Sequence, residues 1–421
     1  PARGARGASP PPPGPPLWGG GARAPPQTAG GAPASDWTLA EAEGRYPHQS
    51  GLGTNFRETY VQDLDLLAND LGANAFRLSV EWARLEPRRG QWDMAEVAHL
   101  HRLIGEARRR GMAIVVTLHH FTSPAWIHEG PEPSGWASQD VVAAFERYAR
   151  FVAREFGDAI DYYITFNEPT NLLAGGYLTG VIPPFQKGLR NAYRAMRGLV
   201  EAHMRAYDAI HEEDPVAMVS LSEYSLVVAA PLMPRAFLPT RIMNAFRERM
   251  MGPDGPRYRH MDFVSLHYYG DLPLGEARVY PIRPYNFRVM PTHFYHIIRE
   301  VWDMYRLPIL IGENGCATCN HEPRKDGWTP ERYMVSHVLA MQRAMKDGVP
   351  VLGYLWWTLT DNYEWGSFDP RFGLYRVDCL AGDYTRRPTP AVATFREIIR
   401  ANGVTAELFH AHFEPDWPHS A

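Results

Sequence analysis

The stretch 161–169, DYYITFNEP, sets the reading of this chain. Its first residues are aromatic or β-branched, the types that fit a pleated strand. The run stops at Asn167-Glu168-Pro169. Pro169 has no backbone N–H and biases Glu168 away from the helical region, so the strand is expected to end with a carboxylate displayed at its carboxyl end. A second stretch, 308–315 (PILIGENG), repeats the arrangement: an apolar run, then Glu313, then Asn314-Gly315. In a parallel α/β barrel, sites are built at the carboxyl ends of the strands.

Outward from these two runs, strand-like and helix-like segments alternate. Tyr60, Leu64, Leu67 and Leu71 recur at helical spacing, and Gly72 follows as a C-terminal cap. Residues 75–80 read as a strand with Phe76, Leu78 and Val80 on one face and Arg77 and Ser79 on the other. Inward polar residues belong near a barrel mouth and not in its packed middle. Further strands are expected at 113–118, 216–221, 262–269 and 351–358, with helices at 94–110, 139–156, 190–212, 291–305, 329–346 and 390–401. Leu17-Trp18-Gly19 supplies an eighth strand. Helices between most neighbouring strands imply a parallel sheet with right-handed crossovers. The expected fold is α/β, a single (β/α)8 TIM barrel over residues 17–421, preceded by a flexible Pro/Gly-rich arm at 1–16. A doubly wound open sheet would carry a glycine-rich phosphate turn after a strand, and none is seen.

Bulk composition narrows the function classes. A net charge of −4 over 421 residues gives no case for nucleic acid or an anionic membrane as partner. No apolar run has the length of a membrane span. Three cysteines, an odd number, argue against a disulfide framework, and the first residues lack a secretory signal's apolar core, so a cytoplasmic location is expected. Cys316 and Cys319 form C-x-x-C just past Glu313, with Cys379 and His321 as the nearest further candidates for a zinc site. Four ligands are the norm for structural zinc, and the plainer reading is two thiols in a loop beside the site.

Two glutamates at two strand ends match the chemistry of retaining glycosidic cleavage, which needs a nucleophile and a proton donor roughly 5 Å apart. The nucleophile must stay ionised and wants a cation nearby; Arg77 is the candidate, since its strand face points inward. The acid must keep its proton near neutral pH, which burial and a neighbouring carboxylate favour. Taken singly, each glutamate also reads as a carboxylate hydrogen-bonded at a loop start. The pairing on a barrel pattern is what carries the functional reading.

From about residue 51 to about residue 399 the chain resembles glycoside hydrolase family 1, the β-glucosidase and β-galactosidase family. The similarity rests on FRLSVEWARLEP (76–87), TLHHF (117–121), TFNEP (165–169), DFVSLHYY (262–269), ILIGENG (309–315) and WWTLTDNYEWGSFDPRFGLYRVD (356–378). The resemblance implies Glu168 as general acid/base and Glu313 as nucleophile. It implies Asn167 on the sugar 2-OH, His120 on the 3-OH, and Arg77 and Tyr269 orienting Glu313. Glu364 would grip two hydroxyls, Trp357 would lie under the ring, and Trp365 and Gln27 would complete the sugar contacts. No metal or organic cofactor is implied. The substrate would be a small β-glycoside ending in glucose, galactose or fucose, with transfer to sugars or alcohols when these replace water. Glu364 stands where relatives acting on 6-phosphorylated sugars lack an acid, so unphosphorylated sugars are expected.

The chain also departs from the family pattern. Phe121 stands where the family usually has Trp, His267 where it usually has Asn, and Gln27-Thr28-Ala29-Gly30 where it has Q-x-E-G. The loops at 178–190 and 222–262 read as trimmed, which predicts an open leaving-group side. The alternative to an active glycosidase is a redirected or inactive sugar-binding protein on the same barrel, although both glutamates are present.

Overall fold

Apolar runs at strand period and amphipathic runs at helix period fold as those periods require. The barrel strands are β1 (Leu17–Ala22), β2 (Ala75–Ser79), β3 (Ala113–His119), β4 (Tyr162–Asn167), β5 (Met218–Tyr224), β6 (Val264–Tyr268), β7 (Ile309–Asn314) and β8 (Val351–Trp356). Each pairs in parallel with its sequence neighbours, and β8 pairs with β1 to close the barrel. The (β/α)8 barrel expected from the alternation is therefore the fold. The computed structural model describes residues 16–22, 33–129, 134–224, 228–229, 260–273 and 283–413. All of the expected arm at 1–16 except Pro16, together with Gln27 and most of the 222–262 loop, lies outside these residues.

The helices packed outside the barrel are α1 (Phe56–Asp65), α2 (Met94–Arg109), α3 (Gln139–Phe156), α4 (Leu189–Glu213), α5 (Pro291–Tyr305), α6 (Pro330–Lys346) and α7 (Pro390–Ala401). Proline opens α5, α6 and α7, where its missing N–H has no intrahelical partner to lose. Asp93 caps α2 by accepting from two backbone N–H groups. Most expected boundaries hold within two residues. The strand expected at 216–221 starts later, because Val216 sits 87% exposed in the preceding turn. It also runs on to Tyr224.

Inside the barrel, Ala75, Val115, Ile164, Phe263, Leu310 and Leu355 form a small apolar layer. A larger apolar core fills the space between strands and helices. The closing strand is rich in glycine for a steric reason: a Cβ on Gly19 would stand 2.2 Å from the Ala75 carbonyl oxygen.

Strands β4 and β7 break the two-residue alternation just before their ends. In β4, Ile164 lies in the inner layer and pairs with Ser220, but the next registered pair is Asn167 with Ser222. One extra residue is thus accommodated. Phe166 turns outward onto Trp136 and Phe145, with ring centroids at 5.0 and 4.6 Å. In β7, Ile311 and Glu313 pair with the successive residues Leu266 and His267 of β6. Such bulges re-aim the side chains that follow them. Strict alternation would turn both Asn167 and Glu313 away from the interior.

Candidate active site

Glu313 emerges from the β7 bulge as a buried carboxylate. The Arg77 guanidinium donates to its Oε1 through Nη1, to Asn167 Oδ1 at 2.5 Å through Nη2, and to Thr117 Oγ1 at 3.2 Å through Nε. Tyr269 donates its hydroxyl to Glu313 Oε2 at 2.5 Å. Burial, and next the charge of Glu313, push the Tyr269 phenol well above its usual range, so it stays a donor. Behind the bulge, Asn314 points the other way. Its amide donates to Tyr333 Oη at 2.9 Å and its carbonyl accepts from Tyr354 Oη at 2.7 Å. Gly315 then passes so close to Trp357 that a Cβ would lie 2.1 Å from that carbonyl oxygen.

Glu168 ends β4 in the left-handed region, at φ 43° and ψ 56°. Its N–H still donates to the Ser222 carbonyl at 2.9 Å, and a short helix, Pro169–Leu172, starts immediately after it. Asn171, three residues on, donates to Glu168 Oε2 at 2.7 Å. His267 Nδ1 lies 2.8 Å from Glu168 Oε1 and 3.3 Å from Glu313 Oε2. One imidazole nitrogen thus faces both carboxyl groups. Burial raises the Glu168 carboxyl to about 7, with Asn171 and Arg77 pulling the other way. Burial holds His267 down to about 3, so the ring is neutral.

The remaining expected residues line one wall. His120 Nδ1 lies 2.7 Å from Ser79 Oγ, and burial, then Arg77, hold it well below the usual imidazole range. The preceding His119 turns away, with its ring edge-on to Trp136 at 5.0 Å and Nε2 3.0 Å from Ser123 Oγ. Trp357 lies 5.8 Å from the His120 ring and donates its indole N–H to Glu364 Oε1 at 2.8 Å. Burial raises the Glu364 carboxyl to about 8, helped by the charge of Glu313. Trp365 packs against Phe121 at 4.6 Å between ring centroids. Nine of the ten expected residues thus fall at one mouth, and the tenth, Gln27, lies outside the described residues.

Sequence reasoning missed Asn171 and the bridging position of His267. It noted His267 only as a departure in type. Glu168, His267 and Glu313 also have the composition of a metal site, with one ligand atom from each within 4.8 Å of the others. The imidazole is already hydrogen-bonded to Glu168 and stands 3.3 Å from Glu313, which a guanidinium also holds. A cation would have to displace these contacts, so hydrogen bonding and ion pairing describe the cluster. Cys316 and Cys319 are free, the first buried with its thiol pushed up to about 12 by burial. Among the described residues no helix is long and apolar enough to cross a membrane.

Comparison with known proteins gives a consistent picture. The sequence profile described as Glycosyl hydrolase family 1 matches residues 28–253 and 257–404. The chain is 27% identical to a β-galactosidase of Sulfolobus acidocaldarius, over 83% of this chain and 84% of that protein. It is also 27% identical to β-glucosidase A of Thermotoga maritima, over 76% of this chain and 81% of that protein. A solved β-glycosidase from Pyrococcus horikoshii superposes with a TM-score of 0.81 at 27% identity, covering 95% of this chain and 97% of that one.

Proposed function

The chain belongs to glycosyl hydrolase family 1 and is a glycoside hydrolase; from that premise we propose that it is a retaining β-glycosidase releasing terminal glucose, galactose or fucose from small β-glycosides. The observation that carries this is the approach of the two carboxyl groups, an oxygen of Glu168 within 4.8 Å of an oxygen of Glu313. Retaining enzymes hold their carboxyls at about 5–5.5 Å, while inverting ones leave about 6.5–9.5 Å for a water.

On this reading Glu313 attacks the anomeric carbon as the glycosidic C–O bond breaks, and the leaving oxygen takes the proton of Glu168. Glu168, now a carboxylate, then takes a proton from water. The water oxygen displaces Glu313, which regains its charge. Arg77 and Tyr269 each donate to Glu313 and aim it, and burial keeps Glu168 protonated for the first step. Asn167, fixed by Arg77, is offered to the sugar 2-OH and His120, fixed by Ser79, to the 3-OH. Trp357 is the platform under the ring, with Glu364 and Trp365 as hydroxyl partners and Gln27 as the remaining contact. Glu364 meets a sugar 6-position with a carboxyl and not a cation, which supports unphosphorylated substrates. An acceptor alcohol in place of water gives transfer.

The test is turnover of p-nitrophenyl β-glucoside, β-galactoside and β-fucoside by the parent chain, Glu313→Ala and Glu168→Ala. Loss of either glutamate is expected to cost about 10²–10⁴-fold or more in rate. Azide is expected to rescue Glu313→Ala with an inverted product. An active Glu313→Ala without azide sinks the assignment.

A further inference from the structure

We propose that His267 is a positioning residue whose single Nδ1–H moves between the two glutamates as the negative charge moves. The inference rests on the double-displacement reading above and adds a role to a side chain that reading leaves idle. Three observations carry it. Nδ1 stands within reach of a carboxyl oxygen on each glutamate, at 2.8 and 3.3 Å. The ring is fully buried, and its other nitrogen, Nε2, finds no partner among the described residues. Space for the ring is left by Gly312, where a Cβ would lie 3.0 Å from Nε2.

These surroundings select the tautomer. A proton on Nε2 would be a buried donor with no acceptor among the described residues, and would turn the bare Nδ1 lone pair towards the Glu313 carboxylate at 3.3 Å. A proton on Nδ1 meets two acceptors. The neutral ring therefore carries its one hydrogen on Nδ1, facing both glutamates.

One hydrogen cannot serve two carboxylates equally, and the reaction never needs it to. In the free chain Nδ1 is hydrogen-bonded to Glu168 and stands 3.3 Å from Glu313; as glycosylation begins Glu313 is the anion and Glu168 holds a proton, so the N–H is drawn to Glu313. Once Glu313 attacks the anomeric carbon and Glu168 gives its proton to the leaving oxygen, Glu313 is a neutral ester and Glu168 is the anion. The N–H then favours Glu168 and stabilises the base that must accept a proton from water. When water displaces Glu313, the charge and the N–H return together. A small rotation of the ring covers the two positions, since both acceptors lie on the same edge.

The effect falls on the second half-reaction. The probe is 2,4-dinitrophenyl β-glucoside, whose good leaving group needs little help from the acid, so that deglycosylation limits turnover. His267→Leu keeps much of the volume and removes the N–H. We expect kcat to fall about tenfold or more, the weight of a hydrogen bond to a charged group. kcat/KM should stay within about threefold, KM should fall, and a pre-steady-state burst should grow. Azide, which needs no base, should restore kcat. His267→Asn carries N–H groups at the same branch point and should recover most of kcat; His267→Gln, one carbon longer, should not. A parallel fall of kcat and kcat/KM without azide rescue, or an unchanged kcat, overturns the proposal. If His267→Leu does not fold, the Asn-against-Gln comparison decides alone. Labelling of the parent's Glu313 by a 2-deoxy-2-fluoroglucoside tests the underlying mechanism separately, because that reading stands or falls on the label whatever the His267 variants do.

Discussion

At Glu168 burial and hydrogen bonding pull on one proton in opposite directions. Burial favours the neutral acid, Asn171 and Arg77 favour the anion, and the balance settles at about 7. A general acid must hold its proton to work, so kcat/KM on poorly activated glycosides should fall about tenfold per unit above pH 7. In Glu168→Gln the activity that remains should lose this alkaline limb. Substrates with good leaving groups, which need less proton donation, should show a shallower one. Arg77 presents the opposite case. It is fully buried and holds both Glu313 and Asn167, so Arg77→Met should leave a buried carboxylate without its cation. Breaking a buried pair this way costs about 3–5 kcal/mol, and the loss should appear both in thermal stability and as a fall in kcat/KM of about 10² or more. Arg77 was legible from the sequence because β2 keeps strict alternation. Asn171 was not, since a four-residue helix is too short to show a period.

At the scale of the element, the two bulges decide what the site contains. Alternation from Ile164 would place Phe166 in the interior, and alternation from Leu310 would place Gly312 there. The sequence could supply the glutamates and their strand ends but not the extra residue that turns them inward. One chain gives no register against its neighbours, so neither bulge was legible in it. Asn314 pins the β7 bulge by bonding Tyr333 and Tyr354 on the helix side. Asn314→Ala should leave two buried hydroxyls short of a partner and cost on the order of 1–3 kcal/mol. Its kcat should drop although the side chain faces away from the mouth. Unchanged kcat in a folded Asn314→Ala would show that the bulge holds itself.

For the molecule as a whole, closure is what makes the eight strand ends converge. β1 lies between β2 and β8, and the main-chain approach at Gly19 leaves no room for a side chain. Gly19→Val should prevent that approach and lower the melting temperature sharply, with loss of near-ultraviolet circular dichroism as the readout. The barrel as such was legible because helices and strands alternate over nearly the full length. Its first strand was only half legible: glycines carry little strand signal, and the run expected at Leu17–Gly19 extends to Ala22. Helix 56–65 is tied to the hairpin at 375–388 by the buried Arg386–Asp63 pair, with N···O distances of 2.7 Å. No sequence period links positions so far apart.

The left-handed backbone at Glu168 bears on how this protein would evolve or be engineered. A side chain held at φ 43° costs roughly 1–2 kcal/mol that glycine would not incur, and its buried carboxyl adds to that cost. The active molecule is accordingly not the most robust version of its own sequence. Glu168→Gly should melt higher than the parent while hydrolysing nothing at a useful rate. A library screened for heat resistance alone would therefore enrich inactive chains, and selection has to hold turnover and heat resistance together for the acid to survive.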